Sequence, residues 1–136
     1  MAFTFQSSAR GQLEQMVLDD RFKLLTQLPL FAPMEIGLGL FAYLLFFAST
    51  GLYLGGSLHV AGMLLINGFA IYLSFTPLHD ATHRTVSRHR GINDAVGTIC
   101  CLLLLPGITT RVYRYLHLEH HRYAGNLSKD PDEPFV

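Results

Sequence analysis

The chain has 136 residues, of which 50% are apolar, and its mean hydropathy of +0.31 is high for a soluble domain. This length fits one domain or part of one. Ten basic residues balance ten acidic ones, so the net charge gives no indication of a nucleic-acid partner, and we expect none. Cys100 and Cys101 are adjacent in an apolar run. They are too few for a disulfide framework, so we expect them to be reduced and buried.

Residues 1–33 are predicted to form a cytoplasmic segment. They lack the basic start, apolar core and small-residue cleavage site of a signal peptide. Ser7 or Ser8 is placed to begin a short helix, whose apolar positions are Leu13, Met16 and Val17. Pro33 falls where the first apolar helix should begin.

Residues 34–78 are predicted to form a transmembrane helical hairpin. No Asp, Glu, Lys or Arg occurs in residues 36–79. Because about 20 apolar residues span a bilayer, this run fits two helices, at about residues 36–54 and 58–76. The turn is expected within residues 51–57, where Gly55 and Gly56 interrupt the apolar pattern. The alternative is a buried hairpin in a soluble protein, for which the run is unusually long.

Basic residues at the two outer ends of this hairpin predict its orientation. They are absent from its turn and occur on both flanks, at Arg21, Lys23, Arg84, Arg88 and Arg90. By the positive-inside rule, both outer ends should be cytoplasmic, as in a multi-pass integral membrane protein. His59 then lies at the opposite, far end of the hairpin, so we expect an interfacial residue and not a ligand.

Residues 79–136 are predicted to form a cytoplasmic region that carries most of the histidines. Residues 95–105 are apolar but too short to span a bilayer, which suits an interfacial helix with Asn93 as a possible cap. A further helix should begin at Thr109 or Thr110. The predicted fold class is therefore an all-α membrane protein: a transmembrane hairpin, an interfacial helix and a cytoplasmic histidine-rich helix.

Five of the seven histidines form two short patterns, HxxxH and HxxHH. They are His79, His83, His117, His120 and His121. Spacings of three and four residues place side chains on one helix face. A single histidine in a helix is usually a surface or core residue, and HxxxH alone is a weak signal. Two such patterns indicate a metal site, and neutral imidazole suits iron, zinc or copper. Five imidazoles exceed the needs of one tetrahedral zinc, which favours more than one metal.

The runs His79-Asp-Ala-Thr-His83 and His117-Leu-Glu-His120-His121 resemble the first two histidine boxes of the membrane fatty acid desaturase and hydroxylase superfamily. The following tail, which ends in Asp130-Pro-Asp132, resembles the fatty acid desaturase and carotenoid hydroxylase branch most. The resemblance implies an oxidoreductase in which the five histidines bind two iron ions, with O2 as co-substrate and an acyl lipid as substrate. A carotenoid or alkane hydroxylase or ketolase is the alternative within the superfamily. A metal-handling membrane protein and a non-catalytic remnant are alternatives from other classes.

Two carboxylates lie within the boxes. Asp80 and Glu119 could each accept a ring N–H from a ligand histidine, or each could be an ordinary solvated carboxylate. The superfamily has a third box, which this sequence lacks, so we expect the chain alone to be inactive. No nucleotide-binding glycine motif occurs, so electrons should come from a separate donor of the ferredoxin or cytochrome b5 type. Basic residues are expected to share the cytoplasmic face with this donor or with lipid phosphates. They are Arg84, Arg88, Arg90, Arg111, Arg114 and Arg122.

Overall fold

The computed structural model describes residues 11–12, 14–15, 24 and 27–132. Within residues 27–132 the chain forms helices and no strands. They are α1 (Pro33–Leu54), α2 (Val60–Leu73), α3 (Phe75–His83), α4 (Arg90–Leu104) and α5 (Thr110–Tyr123). The residues on which the predicted N-terminal helix depends, Leu13, Met16 and Val17, lie outside the described residues.

Two helical runs are long and apolar enough to cross a membrane: Pro33–Leu54, with 22 residues, and Val60–His83, with 24 residues. Their surfaces carry large exposed apolar side chains, among them Leu44, Phe47, Leu65 and Phe69. The core helices of a soluble protein would bury such side chains, whereas a bilayer covers them without any protein partner. The predicted all-α membrane fold is therefore confirmed.

The second run is divided into two helices shortly before a proline. Helix α2 ends at Leu73, and α3 begins at Phe75 after a residue, Ser74, that stays close to helical geometry at φ −70° and ψ −13°. The ring of Pro77 would clash with the carbonyl of Leu73, four residues earlier, in an unbroken helix. The first histidine box therefore lies on α3, a short helix that follows α2 after the single residue Ser74.

Helix α4 begins earlier than its sequence indicates. The expected cap, Asn93, is wrong, because His89 occupies the N-cap position and Asn93 is buried one turn inside the helix. The amide of Asn93 donates to the carbonyl oxygens of Ser87 and His89, at 2.6 and 2.9 Å. Asn93 therefore closes the loop before α4 instead of capping the helix. In contrast, Thr109 caps α5 as expected and accepts the N–H of Val112 at 3.4 Å.

The loop that follows the first box is attached to the chain that precedes α1. Ala32 donates its N–H to the carbonyl of Val86 at 2.7 Å, and Arg88 donates its N–H to the carbonyl of Pro29 at 2.9 Å. These two backbone bonds hold the outer ends of both long helical runs together. They leave α3, α4 and α5 to pack against one another at that end of the hairpin.

A small core joins these three helices. Its buried members are Leu78, Cys100 and Cys101, and the partly buried ring of Tyr113 packs against them. Both cysteines are free and buried, as the composition predicted. Gly97 lies where α4 packs closely against its neighbours, because a Cβ there would stand 2.8 Å from Cγ2 of Thr110. Because α4 packs closely against both α3 and α5 here, the histidines of those two helices can approach one another.

Candidate metal centre

Four of the five box histidines meet between α3 and α5. They are His79 and His83 on α3 and His117 and His121 on α5. One ligand nitrogen from each lies within 4.8 Å of all the others. The spacing of four residues within each pair places the two rings side by side on one helix face, with centroids 4.7 Å apart for the first pair and 4.6 Å for the second.

The contacts among these nitrogens fit a metal ion better than they fit hydrogen bonding. Nε2 of His117 lies 3.0 Å from Nε2 of His83 and 3.1 Å from Nε2 of His121. A neutral imidazole nitrogen carries either one hydrogen or one lone pair, so His117 cannot complete good hydrogen bonds to both neighbours. A cation among the four rings would accept a lone pair from each, and an all-imidazole donor set suits iron or zinc.

The surroundings of His117 keep its ring in the form that binds metals. Burial, followed by the nearby His79, His121 and His83, lowers the pKa of His117 to about 4. The ring of Tyr113 also stacks on that of His117, with centroids 5.7 Å apart. At neutral pH, His117 is therefore uncharged and held in a defined orientation, as a ligand must be.

The fifth histidine, His120, has a different environment. Its Nδ1 donates to Oδ1 of Asp130 at 2.9 Å, and Oδ2 of Asp132 lies 3.4 Å from the same nitrogen. The Asp130 side chain is only 7% exposed, and its second oxygen accepts the N–H of Gly125 at 3.1 Å. This fixed carboxylate raises the pKa of His120. It also occupies Nδ1 and leaves Nε2 as the nitrogen available to a metal.

Asp130 is a functional candidate to which sequence reasoning gave no role. The available signal was the Asp130-Pro-Asp132 tail itself, because its first carboxylate, ten residues after His120, can turn back toward the box only through a loop. The backbone of Gly125, at φ 77°, makes the first part of that return. Neither the spacing nor the helix period could have shown which histidine the carboxylate would reach.

The two carboxylates within the boxes have different partners. Asp80 accepts from Nδ1 of His79 at 3.1 Å, in the position of a residue that orients a ligand. Glu119 instead accepts from Nη1 of Arg122 at 2.6 Å, on the same helix. His59 lies in the hairpin turn, where it caps α2 by accepting the N–H of Ala61 at 3.2 Å.

Arg114 does not share the exposed basic surface on which the sequence placed it. Its side chain is 15% exposed and bonds to groups on α3 and α4. Arg88, Arg90, Arg111 and Arg122 are exposed, as expected.

Comparison with known proteins identifies a family whose sequence model the chain matches. Residues 55–135 match the sequence model of the fatty acid desaturase family. A beta-carotene ketolase of Haematococcus lacustris is 39% identical over 88 residues, which cover 62% of this chain and 27% of that protein. An sn-1 oleoyl-lipid 12-desaturase of a Picosynechococcus species is 38% identical over 52 residues, which cover 38% of this chain and 14% of that protein. The matched stretch thus spans about a quarter or less of the length of these relatives. No solved structure matches the chain.

Proposed function

Because the chain belongs to the fatty acid desaturase family, we propose that it forms part of a membrane-bound, di-iron, O2-dependent oxidoreductase that desaturates an acyl lipid. The observation that carries this proposal is the convergence of four imidazoles from two helices within 4.8 Å. Both named relatives modify lipid-soluble molecules, which fits a site at the end of a transmembrane hairpin.

In this proposal the histidines of α3 and α5 bind iron, and His120 contributes through the nitrogen that Asp130 leaves free. Two bound irons, together with O2, supply an oxidant strong enough to remove hydrogen from an unactivated methylene. Asp80 and Asp130 hold the rings of His79 and His120 in fixed orientations by accepting their Nδ1–H groups. The low pKa of His117 keeps that ligand neutral, so protons do not compete with the metal at physiological pH.

The proposal also includes the surroundings of the site. With basic residues at the outer ends of the hairpin, the histidines lie on the cytoplasmic side, within reach of a soluble or membrane-anchored electron donor. The exposed Arg88, Arg90 and Arg111 offer positive charge to an acidic donor of the ferredoxin or cytochrome b5 type.

A carotenoid ketolase is the second candidate function. The observation in its favour is the length of the matches, because the beta-carotene ketolase aligns with 62% of the chain and the lipid desaturase with 38%. Both reactions oxidise a carbon–hydrogen bond in a long apolar molecule, and the histidines described above would serve either.

Product analysis separates the two candidates. The complete gene would be expressed in cells that make both acyl lipids and β-carotene, and their extracts analysed by mass spectrometry. We expect acyl chains that have lost two hydrogens. We expect His117→Ala to abolish this product, because it removes the central nitrogen of the cluster. His59→Ala, at the far end of the hairpin, should retain most of it.

Two other outcomes would each contradict a different part of this proposal. A keto-carotenoid without acyl desaturation would replace the desaturase by the second candidate. Equal activity in wild type and His117→Ala would show that the histidine cluster is not the reaction centre.

A further inference from the structure

One partly buried arginine joins the three helices that surround the histidine cluster. Arg114 lies on α5, one turn before His117. Its Nε donates to the carbonyl oxygen of Thr82 at 3.0 Å, and its Nη2 donates to the carbonyl oxygen of Ala81 at 2.7 Å. Its Nη1 donates to Oδ1 of Asp94 on α4 at 2.8 Å. One side chain therefore makes hydrogen bonds to both neighbouring helices.

The acceptors on α3 belong to the part of that helix that carries the ligands. Ala81 and Thr82 lie between His79 and His83, in the last turn of a helix of only nine residues. Carbonyl groups in the last turn of a helix lack the N–H partners four residues on that interior carbonyls have, and they carry partial negative charge. The carbonyl of Ala81 accepts the N–H of Arg84 at 3.1 Å, so the guanidinium is its second donor. The guanidinium also donates to the carbonyl of Thr82, and its positive charge suits both oxygens.

The geometry of the guanidinium explains why one residue can set a helix orientation. Its donors form a rigid planar fork, so two bonds to adjacent carbonyls restrict rotation as well as distance. Asp94 binds the remaining edge of the same fork and fixes it relative to α4. The three bonds together restrict both the rotation of α3 against α5 and the separation of the two helices.

We propose that Arg114 is a positioning residue, which holds the histidine faces of α3 and α5 in register so that their nitrogens meet at one metal site. The inference rests on the proposed metal centre for its consequence, but the register itself is a property of the metal-free chain. Arg111, one turn earlier on the same helix and exposed, is the matched control.

The register is measured without metal. Nitroxide labels at Thr76→Cys on α3 and Tyr115→Cys on α5, both exposed positions, report the distance between the helices by double electron–electron resonance. The native cysteines are buried and react poorly. We expect a narrow distance distribution in the otherwise unaltered chain and in Arg111→Ala, and a broad one in Arg114→Ala. Arg114→Lys should also broaden it, since an ammonium cannot form the planar fork.

Metal binding is measured on the same proteins in detergent, with Co2+ as the probe. We expect Arg114→Ala to weaken Co2+ binding by about 10-fold to 100-fold, the range typical of residues that orient ligands, and to alter the visible absorption bands. Arg111→Ala should change neither. Added methylguanidinium should restore binding to Arg114→Ala but not to His117→Ala, because only the former lacks a guanidinium.

Each failure has a distinct signature. Circular dichroism identifies a variant that has simply unfolded, in which case Arg114→Lys is the informative variant. An unchanged distance distribution in folded Arg114→Ala or Arg114→Lys would overturn the inference, whatever the metal does. A broadened distribution in a protein that never binds Co2+, even in wild type, would support the register role and contradict the metal centre.

Discussion

His117 and His120 lie less than one turn apart on α5, yet their pKa values shift in opposite directions. Burial among other imidazoles lowers the pKa of His117 to about 4, because a positive charge there would lack solvent and would face other rings. The carboxylate of Asp130 raises the pKa of His120 from its usual 6.5, because its hydrogen bond favours the charged ring. One helix thus carries a proposed ligand, His117, that is neutral at physiological pH, and a second, His120, whose charge depends on its carboxylate partner.

Replacing Asp130 with Asn tests this pair. We expect the pKa of His120 to fall toward its ordinary value, while that of His117 stays at about 4. NMR titration of labelled histidines in the metal-free chain would measure both values. Asp132→Asn is the matched control and should lower the pKa of His120 less, since its oxygen is more distant, at 3.4 Å, and more exposed.

The sign of the effect on folding stability follows from the two shifts. The raised pKa of His120 contributes folding stability that is lost as the pH rises through the pKa of His120 in the folded chain. The lowered pKa of Asp130 contributes folding stability that is lost as the pH falls through the pKa of Asp130 in the folded chain. Asp130→Asn should therefore destabilise the chain most at mildly acidic pH, between these limits. An unchanged titration of His120 would show that the hydrogen bond does not form in solution.

At the scale of helices, the site depends on how closely α4 approaches α3 and α5. A Cβ on Gly97 would lie 2.8 Å from Cγ2 of Thr110 and 3.4 Å from Cβ of Ala81. Thr110 has little freedom to move, because it is β-branched and its hydroxyl bonds to that of Thr98 at 3.1 Å. The absence of a side chain at residue 97 is thus a condition for the approach of the histidine helices.

We expect Gly97→Ala to destabilise the chain by about 1–3 kcal/mol, the usual cost of overpacking. Gly91 lies in the same helix with open space around it, so Gly91→Ala should be neutral or stabilise by up to about 1 kcal/mol. Denaturant unfolding in detergent, followed by circular dichroism, compares the two. Gly97→Ala as stable as Gly91→Ala would mean that the helices separate there in solution.

At the scale of the whole molecule, the hairpin separates two chemically different ends. The turn of residues 55–59 carries no Lys or Arg, whereas the opposite end carries the five box histidines and the exposed Arg88 and Arg90. The long apolar runs between these ends would place them on opposite sides of a bilayer. The basic residues favour the cytoplasm for the histidine end.

Cysteine labelling in intact cells tests this topology. We expect a membrane-impermeant maleimide to label Ser57→Cys, in the turn, from outside, and Arg88→Cys only after the membrane is opened. The native thiols give little background, because both are buried and burial raises the pKa of Cys100 to about 11. Labelling of Arg88→Cys in intact cells would reverse the orientation and separate the histidines from a cytoplasmic electron donor.

The sequence by itself determined the properties that depend on local periodicity and length. The uncharged stretch of residues 36–79 is long enough to cross a bilayer twice, so its length alone predicts a transmembrane hairpin. The HxxxH and HxxHH spacings place His79 beside His83 and His117 beside His121, because the helix repeat alone sets which residues share a face. Resemblance at the same residues indicated the family that residues 55–135 match.

Only the tertiary structure decided which groups meet between helices. It joined His83 to His117, turned Asp130 back to His120 and directed Arg114 toward α3 and α4. Helix periodicity carries no information about the rotation of one helix against another. That rotation follows from long-range packing at places such as Gly97 and from hydrogen bonds to backbone carbonyls, whose partners no spacing in the sequence specifies.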